Sequence, residues 1–231
     1  MTKTQFHDSM AVWFFNFNDG NFIGYMQANR YSTSIFGNFK LILEYFIESG
    51  LLMPTKIKFL RGALGGDTAS DILDSDVEAI MDCVVEEMQR KENSTYIGLF
   101  GITKIYEKDV CQDIFDIVRV WYDFRNGSLI IYLQADCWLP VDRDDNLQIE
   151  MAEKNAPILE KVLHSIKNIG YDDIMPDEGE EYCDELLPQM GFRVYLHDTL
   201  FDLIKKDLSE TEITRISKFL WSNRYDKEKS W

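Results

Sequence analysis

The sequence predicts an α+β protein in which an antiparallel or mixed sheet, built from hairpins, is packed by about four to five helices. Two pairs of β-branched and aromatic segments are separated by short turns carrying Asn and Gly, the usual way of joining antiparallel neighbours. Between them lie segments whose apolar residues recur at offsets of three and four, the mark of helices with one buried stripe. Strands and helices do not alternate strictly, as a doubly wound parallel sheet would require. A chain of 231 residues that is 45% hydrophobic can bury one large core, so a single domain over residues 1–231 is expected, with a weak boundary in the acidic stretch 171–186.

The first hairpin signal runs from Ala11 to Phe17, turns at Asn18-Asp19-Gly20-Asn21 and continues from Phe22 to Ala28. Ile35, Phe39, Ile42, Leu43, Phe46 and Ile47 then predict a helix over 34–48, stopped by Gly50. A short strand is expected over Ile57 to Leu60, before the glycine-rich loop Gly62 to Asp67. Ser75-Asp76-Val77-Glu78 has the pattern of a capping box, in which the Ser hydroxyl and Glu carboxylate satisfy amides at a helix start. Val77, Ile80, Met81, Val84, Val85 and Met88 give that helix its apolar stripe.

Thr95 to Tyr106 reads as a strand, and Ile117 to Phe124 with Ser128 to Ala135 as a hairpin turning at Arg125-Asn126-Gly127. After a charged turn, Asn155 is placed to cap a helix with Pro157 in its first turn, where a missing N–H does little harm. Ile158, Leu159, Val162, Leu163, Ile166 and Ile169 line that helix and Gly170 ends it. Asp172 to Glu185 holds eight carboxylates and no Lys or Arg, which predicts an exposed connection. A strand over Gly191 to Leu196 and two terminal helices complete the reading, one starting near Asp198 and one capped by Ser209 with Glu212.

Forty acidic against 24 basic residues give a formal charge of −16, which repels phosphate backbones and anionic lipid and attracts a cation or a basic protein. Nucleic-acid and membrane partners are therefore not expected. The first residues, MTKTQFHDSM, lack a secretory pattern, and no apolar run approaches the roughly 20 residues that span a bilayer, so a cytoplasmic location is expected. Cys83, Cys111, Cys137 and Cys183 are unevenly spaced, which fits reduced, buried thiols better than disulfides or a zinc site.

No motif supplies a complete catalytic or cofactor-binding constellation, so no cofactor and no enzymatic activity are expected. Gly62 to Asp67 has neither the Lys and Ser/Thr of a P-loop nor the three-glycine dinucleotide pattern. Asp142, Asp144, Asn146, Glu150 and Glu153 fall at calcium-loop spacing, but Leu147 stands where the sharp turn needs glycine and the preceding segment reads as a strand. An acidic turn entering a helix explains them as well. His164 falls on the polar side of its helix, and Asp198 beside His197 is explained as a helix cap. An enzyme with a site assembled from scattered Asp, Glu and His residues stays open as an alternative, as does an acidic mimic of nucleic acid.

The segment Val120-Trp121-Tyr122-Asp123-Phe124-Arg125-Asn126-Gly127, the strand following it to Asp136-Cys137-Trp138-Leu139-Pro140, and the acidic segments resemble bacterial toxin-immunity proteins in composition and layout. That resemblance implies an inhibitor bound to a basic partner, a cognate toxin, with carboxylates steering encounter and a few aromatics supplying affinity. The contacts it suggests are Glu78, Asp82 and Glu86, on successive turns of one helix, and the cluster Asp177, Glu178, Glu180, Glu181 and Tyr182.

Overall fold

The computed structural model describes residues 6–17, 33–60, 68–71, 76–90, 96–138, 148–174, 208–212 and 214. Among the described residues seven strands form one antiparallel sheet: β1 (Phe6–Phe17), β2 (Met53–Leu60), β3 (Thr68–Asp71), β4 (Tyr96–Glu107), β5 (Val110–Asp123), β6 (Ser128–Ala135) and β7 (Tyr171–Ile174). Their spatial order is β3-β2-β4-β5-β6-β1-β7. Among the described residues three helices accompany them, α1 (Thr33–Ser49), α2 (Val77–Arg90) and α3 (Ile149–Asn168). The α+β class with an antiparallel sheet is thus as predicted.

The core follows from the pleat. Ile57 and Phe59, Ile97 and Leu99, Val118, Val120 and Tyr122, and Leu129, Ile131 and Leu133 alternate along four adjacent strands and share one face. Phe39, Ile42, Leu43 and Phe46 of α1, Ile80 and Val84 of α2, and Leu159, Val162, Leu163 and Ile166 of α3 join these in a single cluster. Phe39 lies at its centre, edge-on to Phe124 and 4.8 Å from the Tyr122 ring. Truncating a buried aromatic of this kind costs about 3–5 kcal/mol.

Several local expectations hold, for the reasons given. Helix α1 spans one residue more at each end than predicted and is followed by Gly50 at φ +71°, a conformation costly for residues with a Cβ. The β5–β6 turn closes with Gly127 at φ +71°; its N–H donates to the Asp123 carbonyl at 2.7 Å, while the Arg125 side chain pairs with the Asp123 carboxylate. Ser209 and Glu212 make the reciprocal capping box, the Glu212 N–H donating to Ser209 Oγ and the Ser209 N–H to Glu212 Oε2. Gly170, at φ +99°, follows α3 as expected.

Other expectations are corrected. Helix α3 begins at Ile149, not at Asn155, and Pro157 lies inside it. Asn155 is 1% exposed, and its side chain reaches the edge of β4 instead of capping its own helix. Its Oδ1 accepts from the Tyr106 N–H at 2.9 Å, and its Nδ2 donates to the Tyr106 carbonyl at 2.9 Å and to the Met151 carbonyl at 2.8 Å. The extra helical turns bury Met151 and Ala152, which an acidic flank disguises as a loop.

At α2 the cap is Asp76, whose carboxylate accepts from the Ala79 N–H at 3.1 Å; Ser75 lies outside the described residues and Glu78 bonds Lys40. Asp76 adjoins the first helical residue, so its short side chain reaches the third amide as well as a serine would. Asp172, Asp173 and Ile174, read as connection, belong to the edge strand β7, held against β1. Cys137 is buried, but Cys111 is exposed and Cys83 only half-buried, because the first lies near a hairpin tip and the second on a helix flank. Strand β5 starts seven residues earlier than predicted, pairing with β4 through a turn at Lys108-Asp109. The second arm of the first hairpin, the glycine-rich loop, the 191–196 strand and the helix near Asp198 lie outside the described residues.

Candidate protein-binding surface

Helix α2 turns Ile80, Val84 and Met88 into the core, which leaves Glu78, Asp82, Val85 and Glu86 exposed on its opposite side. The three carboxylates are spaced four residues apart and form a column along the helix. Lys40 of α1 donates to Glu78, and the same Lys lies in the field of Glu44 and Asp76. Its ammonium pKa is raised, chiefly by the hydrogen bond and charge of Glu78, with Glu44 and Asp76 adding smaller contributions. The α1–α2 side of the helical layer is therefore an acidic ridge in a chain of charge −16.

Asp177, Glu178, Glu180, Glu181 and Tyr182 lie outside the described residues, as do Asp142, Asp144 and Asn146 of the calcium-like spacing. Glu150 and Glu153 sit in the first turns of α3, Glu150 exposed and Glu153 half-buried. Among the described residues no group of three His, Cys, Asp or Glu side chains is placed to hold a metal ion. His164 is exposed on α3, on the polar side its spacing indicated.

The Tyr122 and Tyr171 phenols and the Cys137 thiol are held neutral inside the core. Tyr122 Oη donates to the Ile35 carbonyl at 3.0 Å and stands 3.0 Å from Tyr171 Oη. Burial, then the two rings' mutual interaction, pushes the Tyr122 phenol far above its ordinary value, and burial raises Tyr171 as well. The Cys137 thiol is pushed well up by burial and by neighbouring Asp136, so it is not a thiolate nucleophile at neutral pH.

The sheet's second face carries features that sequence reasoning missed. Tyr96 stacks on Trp121 at 5.3 Å between ring centroids, Phe100 meets Trp121 edge-on at 5.5 Å, and the Arg119 guanidinium lies 5.7 Å from the Phe100 ring centre. Gly98 makes room for this stack, since a Cβ there would stand 2.6 Å from the Trp121 ring. Period-two alternation signals such a face only when the register of both strands is known.

Comparison with protein-family models, curated proteins and solved structures finds no significant match to this chain. Among the described residues no helix is long and apolar enough to cross a membrane.

Proposed function

We propose that this protein binds a basic protein partner through the acidic ridge of α2 and holds it inactive, in the manner of an immunity-type protein with its cognate toxin. The observation that supports this reading is the exposed column Glu78, Asp82 and Glu86, continued towards α1 by Asp76 and Glu44. A like-charge column weakens its own helix by a few tenths of a kcal/mol per pair. A cationic surface docked on it relieves that repulsion, and long-range attraction speeds encounter at low ionic strength.

The test combines capture and rescue. Purified protein is used to retain proteins from lysate of its own source at low and high salt, alongside the charge-reversed variant Glu78→Lys/Asp82→Lys/Glu86→Lys. A basic protein retained stoichiometrically by the wild type, released by salt and lost with the variant is the expected result. Expressed alone, that protein should arrest growth, and co-expression with the wild type should restore it. A retained partner indifferent to both salt and charge reversal overturns the assignment of the ridge, and a partner that is harmless when expressed alone overturns the inhibitory role.

A further inference from the structure

The β4–β5 hairpin outruns its neighbours. Strand β6 pairs with β5 only from Val118 to Asp123, so among the described residues nothing pairs with the second edge of β5 from Val110 to Asp116. Alternate residues of an antiparallel strand turn their N–H and C=O groups away from the first neighbour, so this stretch offers open hydrogen-bonding groups to another strand. The side chains there are exposed too, Val110 at 57% and Phe115 at 60%. On the other side of the hairpin, the overhanging edge of β4 is closed: Lys104 N–H donates to the Gly50 carbonyl at 2.8 Å, and Asn155 takes both backbone groups of Tyr106. Among the described residues the open edge of β5 is therefore a feature of one side of the hairpin.

The sequence of that edge is self-complementary. Antiparallel pairing of two copies about a twofold axis at Gln112 sets Val110 opposite Ile114, Cys111 opposite Asp113, and Gln112 opposite its own copy. It also brings Lys108, in the hairpin turn, towards Asp116 of the other copy, twice over, beside the Arg119 that already pairs with Asp116 within each chain. Facing residues share parity, so outward N–H groups meet outward carbonyls. Ile114 already packs against the core, so the Val110 of a second copy extends an existing apolar layer. Among the described residues the open stretch runs from the end of β6 at Ala135 to the hairpin tip at Lys108-Asp109.

We propose that a second copy of this chain adds to the open edge of β5, joining the two sheets about a twofold axis through Gln112. The interface closes on itself and produces a dimer, not a filament. Charge sets its salt dependence. Each copy carries −16, so the two repel overall, and the facing stretch adds to this with Asp109, Asp113 and Asp116 against the single Lys108. Raising salt from about 0.1 M to about 1 M shortens the screening length from about 10 Å to about 3 Å and should tighten the dimer. Binding of a basic partner at the α2 ridge should weaken over the same range, so the two proposals stand or fall separately.

Sedimentation equilibrium and site-directed cross-linking test the proposal together. The wild type should reach twice the 27.1 kDa chain mass, and Val110→Lys should weaken association at least tenfold with an unchanged circular dichroism spectrum. In a Cys111→Ser background, Gln112→Cys places two thiols on the axis, where facing Cα atoms are about 4.5–5.5 Å apart, so mild oxidation should yield a dimer cross-linked at residue 112. Native Cys111 and its copy are diagonal neighbours about 7–8 Å apart and should not cross-link. A wild-type mass of one chain at all concentrations and salts overturns the proposal, as does a dimer that Gln112→Cys fails to cross-link or Val110→Lys leaves intact.

Discussion

Replacing Asn155 with Ala removes the side chain that closes the overhanging edge of β4. The Met151 carbonyl lies four residues before Asn155 in α3 and keeps the helical bond from its backbone N–H, so losing the side-chain bond there costs little. Tyr106 is different, because its N–H and C=O both depend on this amide. Leaving a buried polar group unsatisfied costs about 1–3 kcal/mol, and because Tyr106 is 37% exposed while its bonds to Asn155 are part-buried, each of the two groups falls in the lower half of that range. The sum is about 2–4 kcal/mol, or a fall of roughly 5–15 °C in melting temperature for a chain of this size. Calorimetry and urea unfolding measure it. Asn155→Asp sharpens the test: the new carboxylate keeps the acceptor for the Tyr106 N–H but turns an oxygen towards two carbonyls, which raises its pKa in the folded state above the unfolded value. A raised acid pKa contributes stability that is present below the unfolded pKa and lost as pH rises, so Asn155→Asp should be closest to wild type near pH 4 and fall behind towards pH 7. If Asn155→Ala lies within about 0.5 kcal/mol of wild type, surface variation alone accounts for it, and the edge-closing role is refuted.

Gly101→Ala should unfold the protein or cost at least about 3 kcal/mol, because a Cβ there stands 2.0 Å from the Met53 backbone carbonyl oxygen and neither strand can yield; thermal melting of purified protein decides it. Gly98→Ala meets a side chain instead, so a milder loss of about 1–3 kcal/mol is expected, together with a shift in tryptophan fluorescence as Trp121 leaves its stack on Tyr96. Burial pushes the Tyr96 phenol up to about 12, so its contribution is intact below pH 10 and lost as pH rises from 10 towards 12. Discounted for solvent screening at a half-exposed ring, the loss is about 1 kcal/mol, and Tyr96→Phe should remove that part of the alkaline destabilisation seen by unfolding at each pH.

How far the sequence could be read depended on the range of the interactions involved. The β5–β6 turn, the span of α1 and the Ser209 box are fixed by residues within four positions of one another, and local chemistry located each of them. The errors sit where a residue answers to a distant one. Asn155 looks like a helix cap because caps are the commonest local use of asparagine, yet its partner is Tyr106, 49 residues away, and only the register of β4 against α3 brings them together. Asp172 and Asp173 look like a solvated acidic run because charge is visible in one dimension, whereas their backbone pairs with Asn16 and Phe15 of β1. The same holds for the two proposed binding surfaces. The α2 column was legible because it is a property of one helix. The open edge of β5 was not, since it depends on two strands of a hairpin outrunning a third, and no pattern within Val110 to Asp116 states where β6 stops. Those two surfaces make opposite demands on the solvent: one is an exposed charge column suited to meeting an opposite charge, and the other is a strand edge that two like-charged copies can join only when their repulsion is screened. A single salt titration, followed by both partner capture and sedimentation, therefore separates what the acidic composition is for from what it must be overcome to permit.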